Sequence, residues 1–170
     1  MTLPESRTLA RVLTHINAAD SRGVSDTARR SSLVAAMILL GEKPGRASAD
    51  QFAEELDRAL DRPSHRLAVY GSLRPGGVNH AAVADLGERW SAGWVRGVLD
   101  VVGERTAGFP VLTPDVRAQR QAVEVLDSPA LPARWEQLDQ FEGAAYRRVL
   151  VVVEDDAGGL RVANLYAAAT

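Results

Sequence analysis

Leu67-Ala68-Val69-Tyr70 runs straight into Gly71-Ser72-Leu73-Arg74-Pro75-Gly76-Gly77-Val78-Asn79-His80. The apolar run has the length of a short strand, and the glycines and proline behind it prevent its continuation as a ladder. A strand that ends this way leaves several backbone N–H groups without ladder partners, and such groups form a concavity suited to an anion or a carbonyl oxygen. The plainer alternative is a tight turn. No Gly-Lys-Ser/Thr follows, so this is not a phosphate-binding P-loop, and the glycine spacing does not fit a dinucleotide fingerprint. Ser72 lacks the Gly-x-Ser-x-Gly setting of an activated nucleophile.

Downstream, residues 94–102, 109–112, 122–126, 149–154 and 160–166 read as further strands, separated by Gly, Pro and Asp signals. Only residues 131–141 are convincingly helical in this part. Many strands with one good helix predict an α+β domain whose mostly antiparallel sheet is curved or barrel-like. Upstream the chain has a different character. Before residue 62 the only aromatic is Phe52, and apolar residues recur at helical spacing. Leu9, Val12, Leu13 and Ile16 mark one helix. Ser25-Asp26 caps a second through Leu33, Val34, Met37, Ile38 and Leu40, stopped by Gly41 and Pro44. Ser48 caps a third, which carries Phe52, Leu56, Ala59 and Leu60 on its apolar face. Residues 1–62 hold nine basic and nine acidic side chains, so this segment is neutral. The expected division is a helical extension over 1–62 and a second domain over 66–170, the extension serving as an interaction or stabilising appendage for a protein partner or for self-association.

Composition narrows the function. At 46% hydrophobic and 25% charged, the 170-residue chain is that of an ordinary globular protein. A net charge of -2 and a pI near 5.9 supply no field toward a phosphate backbone, so nucleic acid is not an expected partner. The absence of cysteine excludes disulfides, thiolate nucleophiles and thiolate metal sites. No apolar run has the length of a membrane span, and the early Pro4 and Glu5 do not fit a signal peptide. The cytoplasm is the expected address. His15, His65 and His80 are scattered without carboxylates at ligand spacing, so no metal site and no cofactor is expected. His15 and His65 read as surface and linker residues, whereas His80 is equally suited to bracing the glycine-rich loop and to touching a ligand. Trp90, Trp94 and Trp135 read as core. Arg147 and Arg148 open a strand, where one faces inward and the other solvent.

Leu131, Trp135 and Leu138 define the buried stripe of the predicted helix, and the next step of four lands on Glu142. At about 100° per residue, Glu142 returns to the azimuth of the apolar residues. A carboxylate there must be paired, hydrogen-bonded or raised in pKa, which are the conditions that suit a Glu to act as a base. The opposing interpretation is that the helix stops at Phe141, before Gly143, and Glu142 only marks its exit. Glu136 and Asp139 fall off the stripe and read as solvated.

Taken in order, Val69-Tyr70-Gly71-Ser72-Leu73-Arg74, Asn79-His80, Gly108-Phe109-Pro110-Val111-Leu112, Leu138-Asp139-Gln140-Phe141-Glu142-Gly143, Tyr146, Arg148 and Tyr166 resemble the γ-glutamylcyclotransferase-like superfamily, in particular its AIG2-like branch. The resemblance spans about residues 66–168 and leaves the N-terminal segment unmatched. It implies a small mixed β-barrel with a packed helix. It also implies an enzyme that converts a γ-glutamyl amine or dipeptide to 5-oxoproline and a free amine, without metal or cofactor. By the same resemblance Glu142 is the general acid/base, and Tyr70, Gly71, Ser72, Leu73, Tyr146 and Tyr166 bind the small γ-glutamyl substrate. Val123-Glu124-Val125-Leu126 departs from the family pattern by lacking its small residue and its aromatic, a change expected to bear on pocket shape. The alternative is a non-catalytic module that binds a small metabolite while the N-terminal helices recruit a protein.

Overall fold

The structure is a computed structural model that describes residues 3–87, 89–101 and 108–169. The chain divides into two compact units, Met1–Arg62 and Pro63–Thr170.

The first unit holds α1 (Ser6–Ala19), α2 (Asp26–Leu39) and α3 (Ala49–Ala59), with α1 packed on α2 and α2 on α3. Leu9, Val12, Leu13 and Ile16 are buried as their spacing requires, and so are Leu33, Met37, Phe52, Leu56 and Leu60. Ile38 departs from that pattern and is 59% exposed. Both predicted serine caps form. Ser25 accepts from the Ala28 N–H, and Ser48 and Gln51 exchange the two bonds of a capping box. Arg29 pairs with Asp50 at 2.7 Å and the Arg30 guanidinium stands 5.2 Å from the Phe52 ring centroid, tying α2 to α3.

The second unit is an α+β barrel. Its strands are β1 (Arg66–Val69), β2 (Trp90–Val101), β3 (Pro110–Pro114), β4 (Arg120–Asp127), β5 (Tyr146–Glu154) and β6 (Leu160–Ala168). Each predicted strand is present with shifted ends, and Val102 of the second lies outside the described residues. The sheet order is β3-β2-β4-β1-β6-β5, and β2 also pairs with β5 through Trp94 and Glu154. That extra pairing closes β2-β4-β1-β6-β5 into a barrel and leaves β3 on the far half of β2. All pairings are antiparallel except β1 with β6. Closure needs Gly93, because a Cβ there would collide with the Val153 side chain as β5 approaches. Glu154 then sits between Arg96 and Arg120, which oppose each other across β2 and β4, and pairs with both. Trp94 is not a core residue as expected: it is half-buried, and its indole N–H donates to Asp156 at 2.7 Å beside the closure.

Alternation along the strands sorts two cores. Ala68, Val123, Val125, Val149, Val151, Val153, Ala163 and Leu165 fill the barrel. Leu67, Val69, Leu126 and Tyr166 point to the outer face, where they meet Leu73, Leu131, Trp135 and Leu138. Both faces of β6 are therefore covered, which explains its nearly continuous apolar sequence. The predicted helix over 131–141 is divided. Pro132 opens a 3-10 turn, Leu131–Ala133, and α4 runs Trp135–Glu142. Within α4 the spacing Trp135, Leu138, Glu142 still sets one face toward the barrel wall. Replacing the fully buried Leu138 by Ala would cost about 2–5 kcal/mol.

Candidate active site

A cavity of about 310 Å³ opens where the loop after β1 meets the end of α4. That volume is in the range of small-molecule sites. Glu142, Tyr70, Gly71, Ser72, Leu73, Tyr146 and Tyr166 all line it, so the residues singled out in the sequence come together in one place. Asn79, Phe109, Pro110, Phe141 and Ala145 line it too. No Lys, Arg or His is among the lining residues that are described, and Glu142 is the lining carboxylate.

Glu142 closes α4. Gly143, at φ 70, takes a conformation open to glycine and swings the chain toward β5, so the helix ends with the Glu142 side chain at the cavity. Burial pushes its carboxyl up from 4.5 to about 7. Its place at the carbonyl end of a helix disfavours negative charge in the same direction. The Glu142 charge in turn helps raise the pKa of Tyr166, Tyr146 and Tyr70, each of which is raised first of all by its own burial.

The loop that follows β1 is braced from within. Asn79 donates from its backbone N–H to the Ser72 carbonyl at 3.0 Å and from Nδ2 to Ser72 Oγ at 2.9 Å. A Cβ on Gly77 would overlap the Ser72 carbonyl, so glycine is required at that position for the turn to fold back. Gly71 is less constrained, since a Cβ there meets only Pro110, at 3.9 Å. Among the described residues, the backbone N–H groups of Ser72 and Leu73 have no acceptor, leaving donors in the cavity-lining loop. His80 resolves to the bracing role: its Nδ1 stands 3.0 Å from the Leu73 carbonyl, its ring leans on Trp90, and it does not line the cavity. Because a carbonyl can only accept, Nδ1 is the protonated nitrogen.

The three tyrosines differ in what their hydroxyls can still do. Tyr70 donates to the Tyr166 carbonyl at 2.7 Å and accepts from the Leu112 N–H at 3.1 Å. Tyr166 donates to Asp139 Oδ1 at 2.7 Å. The Tyr146 hydroxyl has no partner among the described residues.

Asp139 is exposed, in keeping with its place off the stripe, but it also has partners that its place in the helix does not reveal. Its side chain is 42% exposed, yet besides Tyr166 it receives Arg148 through Nε at 2.9 Å and Nη2 at 3.1 Å. Burial would raise its pKa, but the bonds from Arg148 and Tyr166 outweigh that and lower it. Arg148 also stacks 4.5 Å over Trp135 on the outer face and reaches the buried Asn164, while Arg147, on the barrel side of β5 with Val149, is exposed. Helix phase could not reveal Asp139, because its partners lie 27 and 9 residues away on β6 and β5. Val123 to Leu126 do not line the cavity; Val123 and Val125 fill the barrel interior, so the departure from the family pattern falls in the core. Among the described residues no cluster of three His, Asp or Glu could hold a metal ion, and no helix is long and apolar enough to cross a membrane.

A family model described as gamma-glutamyl cyclotransferase, AIG2-like, matches residues 67–170. An AIG2-like protein from Mus musculus shares 24% identity over 62% of this chain and 78% of its own, with a TM-score of 0.51; at that identity the likeness concerns the fold. YkqA from Bacillus subtilis shares 28% identity over 61% of this chain, with a TM-score of 0.49, and the match spans 35% of its length. No curated protein matches the chain.

Proposed function

The chain belongs to the gamma-glutamyl cyclotransferase, AIG2-like family, and from that premise we propose that its barrel cyclises a γ-glutamyl amine or dipeptide to 5-oxoproline, with Glu142 as general acid/base. The observation that carries this reading is a carboxyl with a pKa of about 7 in a cavity whose adjoining loop offers free backbone N–H groups.

The reaction is intramolecular. The substrate's α-amino nitrogen attacks its own γ-carbonyl carbon, forming the ring C–N bond while the carbonyl oxygen takes up negative charge. Collapse of that oxyanion breaks the old amide C–N bond. Glu142 takes the proton that the attacking nitrogen loses and returns it to the departing amine, so the carboxylate is regenerated and no electrons change hands. The N–H groups of Ser72 and Leu73 would bear the oxyanion. Ring closure needs a folded conformer of the substrate, and a half-buried cavity walled by three tyrosines and two phenylalanines can hold one. A pKa near 7 suits both halves of the proton cycle, since a group at either extreme would accept or release poorly.

Release of 5-oxoproline from a panel of γ-glutamyl amines and dipeptides tests the reading. Turnover of at least one member is expected. Saturable binding across the panel without 5-oxoproline would replace the enzyme by a metabolite-binding module.

A further inference from the structure

We propose that Asp139 is a positioning residue that fixes Tyr166 as a hydrogen-bond acceptor for the substrate's α-ammonium group. The inference rests on the cyclisation reading of the same cavity and assigns it a recognition element that Glu142 alone does not supply.

The argument is one of proton placement. A phenol has a single proton, and that of Tyr166 is committed to Asp139 Oδ1 at 2.7 Å. Asp139 cannot return one, because Arg148 holds it as a carboxylate from both Nε and Nη2. Arg148 is itself held by Trp135 and Asn164, and Asn164 is buried and donates to the Pro63 carbonyl at 2.8 Å. Both side chains that meet Asp139, Arg148 and Tyr166, donate to it, so no proton points back at the Tyr166 oxygen. What Tyr166 has left for a ligand in the cavity is lone pairs.

A phenol oxygen that can accept but not donate selects for an N–H donor at the Tyr166 position. Tyr70 likewise has no proton for a ligand, since its own is spent on the Tyr166 carbonyl, and one of its lone pairs already receives the Leu112 N–H. Among the described lining residues Glu142 carries the negative charge and no side chain carries a positive one, so an ammonium finds its complement here, while a ligand carboxylate has the backbone N–H groups of the loop and the Tyr146 hydroxyl to turn to. An ammonium shared between Glu142 and Tyr166 would be held beside the carboxylate that must deprotonate it.

Two ligands isolate the ammonium. δ-N-phenylornithine has a methylene where a γ-glutamyl anilide has its carbonyl, so it cannot cyclise; 5-anilinopentanoic acid differs from it only in lacking the α-amine. Titration calorimetry on the full chain is expected to show the first binding at least about tenfold more tightly, the scale of one charged hydrogen bond. Asp139→Asn and Tyr166→Phe should each cut that preference severalfold, and Asp139→Asn should add nothing on a Tyr166→Phe background. A purely structural Asp139 would weaken both ligands alike and would keep its effect in that background, and either result overturns the proposal. So does a wild-type protein without the preference. If Asp139→Asn loses its fold by circular dichroism, Tyr166→Phe decides: an unchanged preference sinks the idea. Release of 5-oxoproline from γ-glutamyl anilide is scored separately. No turnover with the preference and coupling intact removes the cyclisation reading and leaves the ammonium site; turnover with a preference indifferent to Asp139 does the reverse.

Discussion

The Tyr70 hydroxyl donates to the Tyr166 backbone carbonyl at 2.7 Å, joining the residue after β1 to the C-terminal part of β6 at the cavity wall. The same oxygen accepts from the Leu112 N–H on β3, so one phenol ties three strands together. It braces the wall of the cavity that it lines together with Glu142.

Tyr70→Phe should therefore cost stability. It leaves a carbonyl and an N–H unsatisfied in a half-buried place, a loss of about 1–3 kcal/mol in urea unfolding. The pH dependence of turnover should keep its shape. A changed apparent pKa with unchanged stability would mean that the hydroxyl acts on the substrate.

Glu142→Gln keeps size and most hydrogen bonding while removing the proton acceptor. Turnover should fall by about 100-fold to 10,000-fold with the fold intact. A variant that releases 5-oxoproline at the wild-type rate would remove Glu142 from the mechanism.

The raised pKa of Glu142 makes two pH predictions with definite signs. As a base it works ionised, so kcat/KM should rise with pH through about 7 and then level, instead of completing its rise near 4.5. The folded state also keeps a proton that the unfolded chain has released between about 4.5 and about 7, so this group's contribution to stability is present at low pH and lost as pH rises through that window. Glu142→Gln should thus be more stable than wild type above pH 7 and little changed below 4.5. Thermal melts at the two ends check it, and a variant less stable at both would mean that the carboxylate has an ionic partner.

In the loop, Ser72→Ala should be mild, since the lining donors are backbone groups and the Ser72 hydroxyl only receives Asn79. Gly71→Val should narrow the cavity and raise KM, because its Cβ faces Pro110. Gly77→Ala should be the damaging change, forcing the Ser72 carbonyl aside at about 1–3 kcal/mol and disordering the turn. Abolished turnover in a folded Ser72→Ala protein would assign the hydroxyl a chemical role.

Residues 63–170 expressed alone should give a soluble, cooperatively folding barrel. Both of its core clusters draw on residues of that unit, and β2 closes on β5 without help. Aggregation of this fragment, seen by size-exclusion chromatography, would assign residues 1–62 an integral role in place of that of an appendage.

The sequence by itself determined the class of each segment and much of the cavity wall. Alternation in Val149 to Val153, the glycines after Tyr70 and the four-residue step from Leu138 to Glu142 are local patterns, and local sterics and periodicity enforce them wherever the segment is placed. The tertiary structure alone decided what depends on partners remote in the chain. Trp94 left the core because the barrel closes at Glu154, 60 residues on, and offers Asp156 to its indole. The interruption between the 3-10 turn and α4 falls at Arg134, which caps both and bonds Asp85 and the Ala82 carbonyl, some 50 residues back. Asp139 belongs to the candidate site because β5 and β6 bring Arg148 and Tyr166 against α4. A carboxylate takes its chemistry from the charges and protons within a few ångströms, and for Asp139 those come from strands that only the closed barrel brings near.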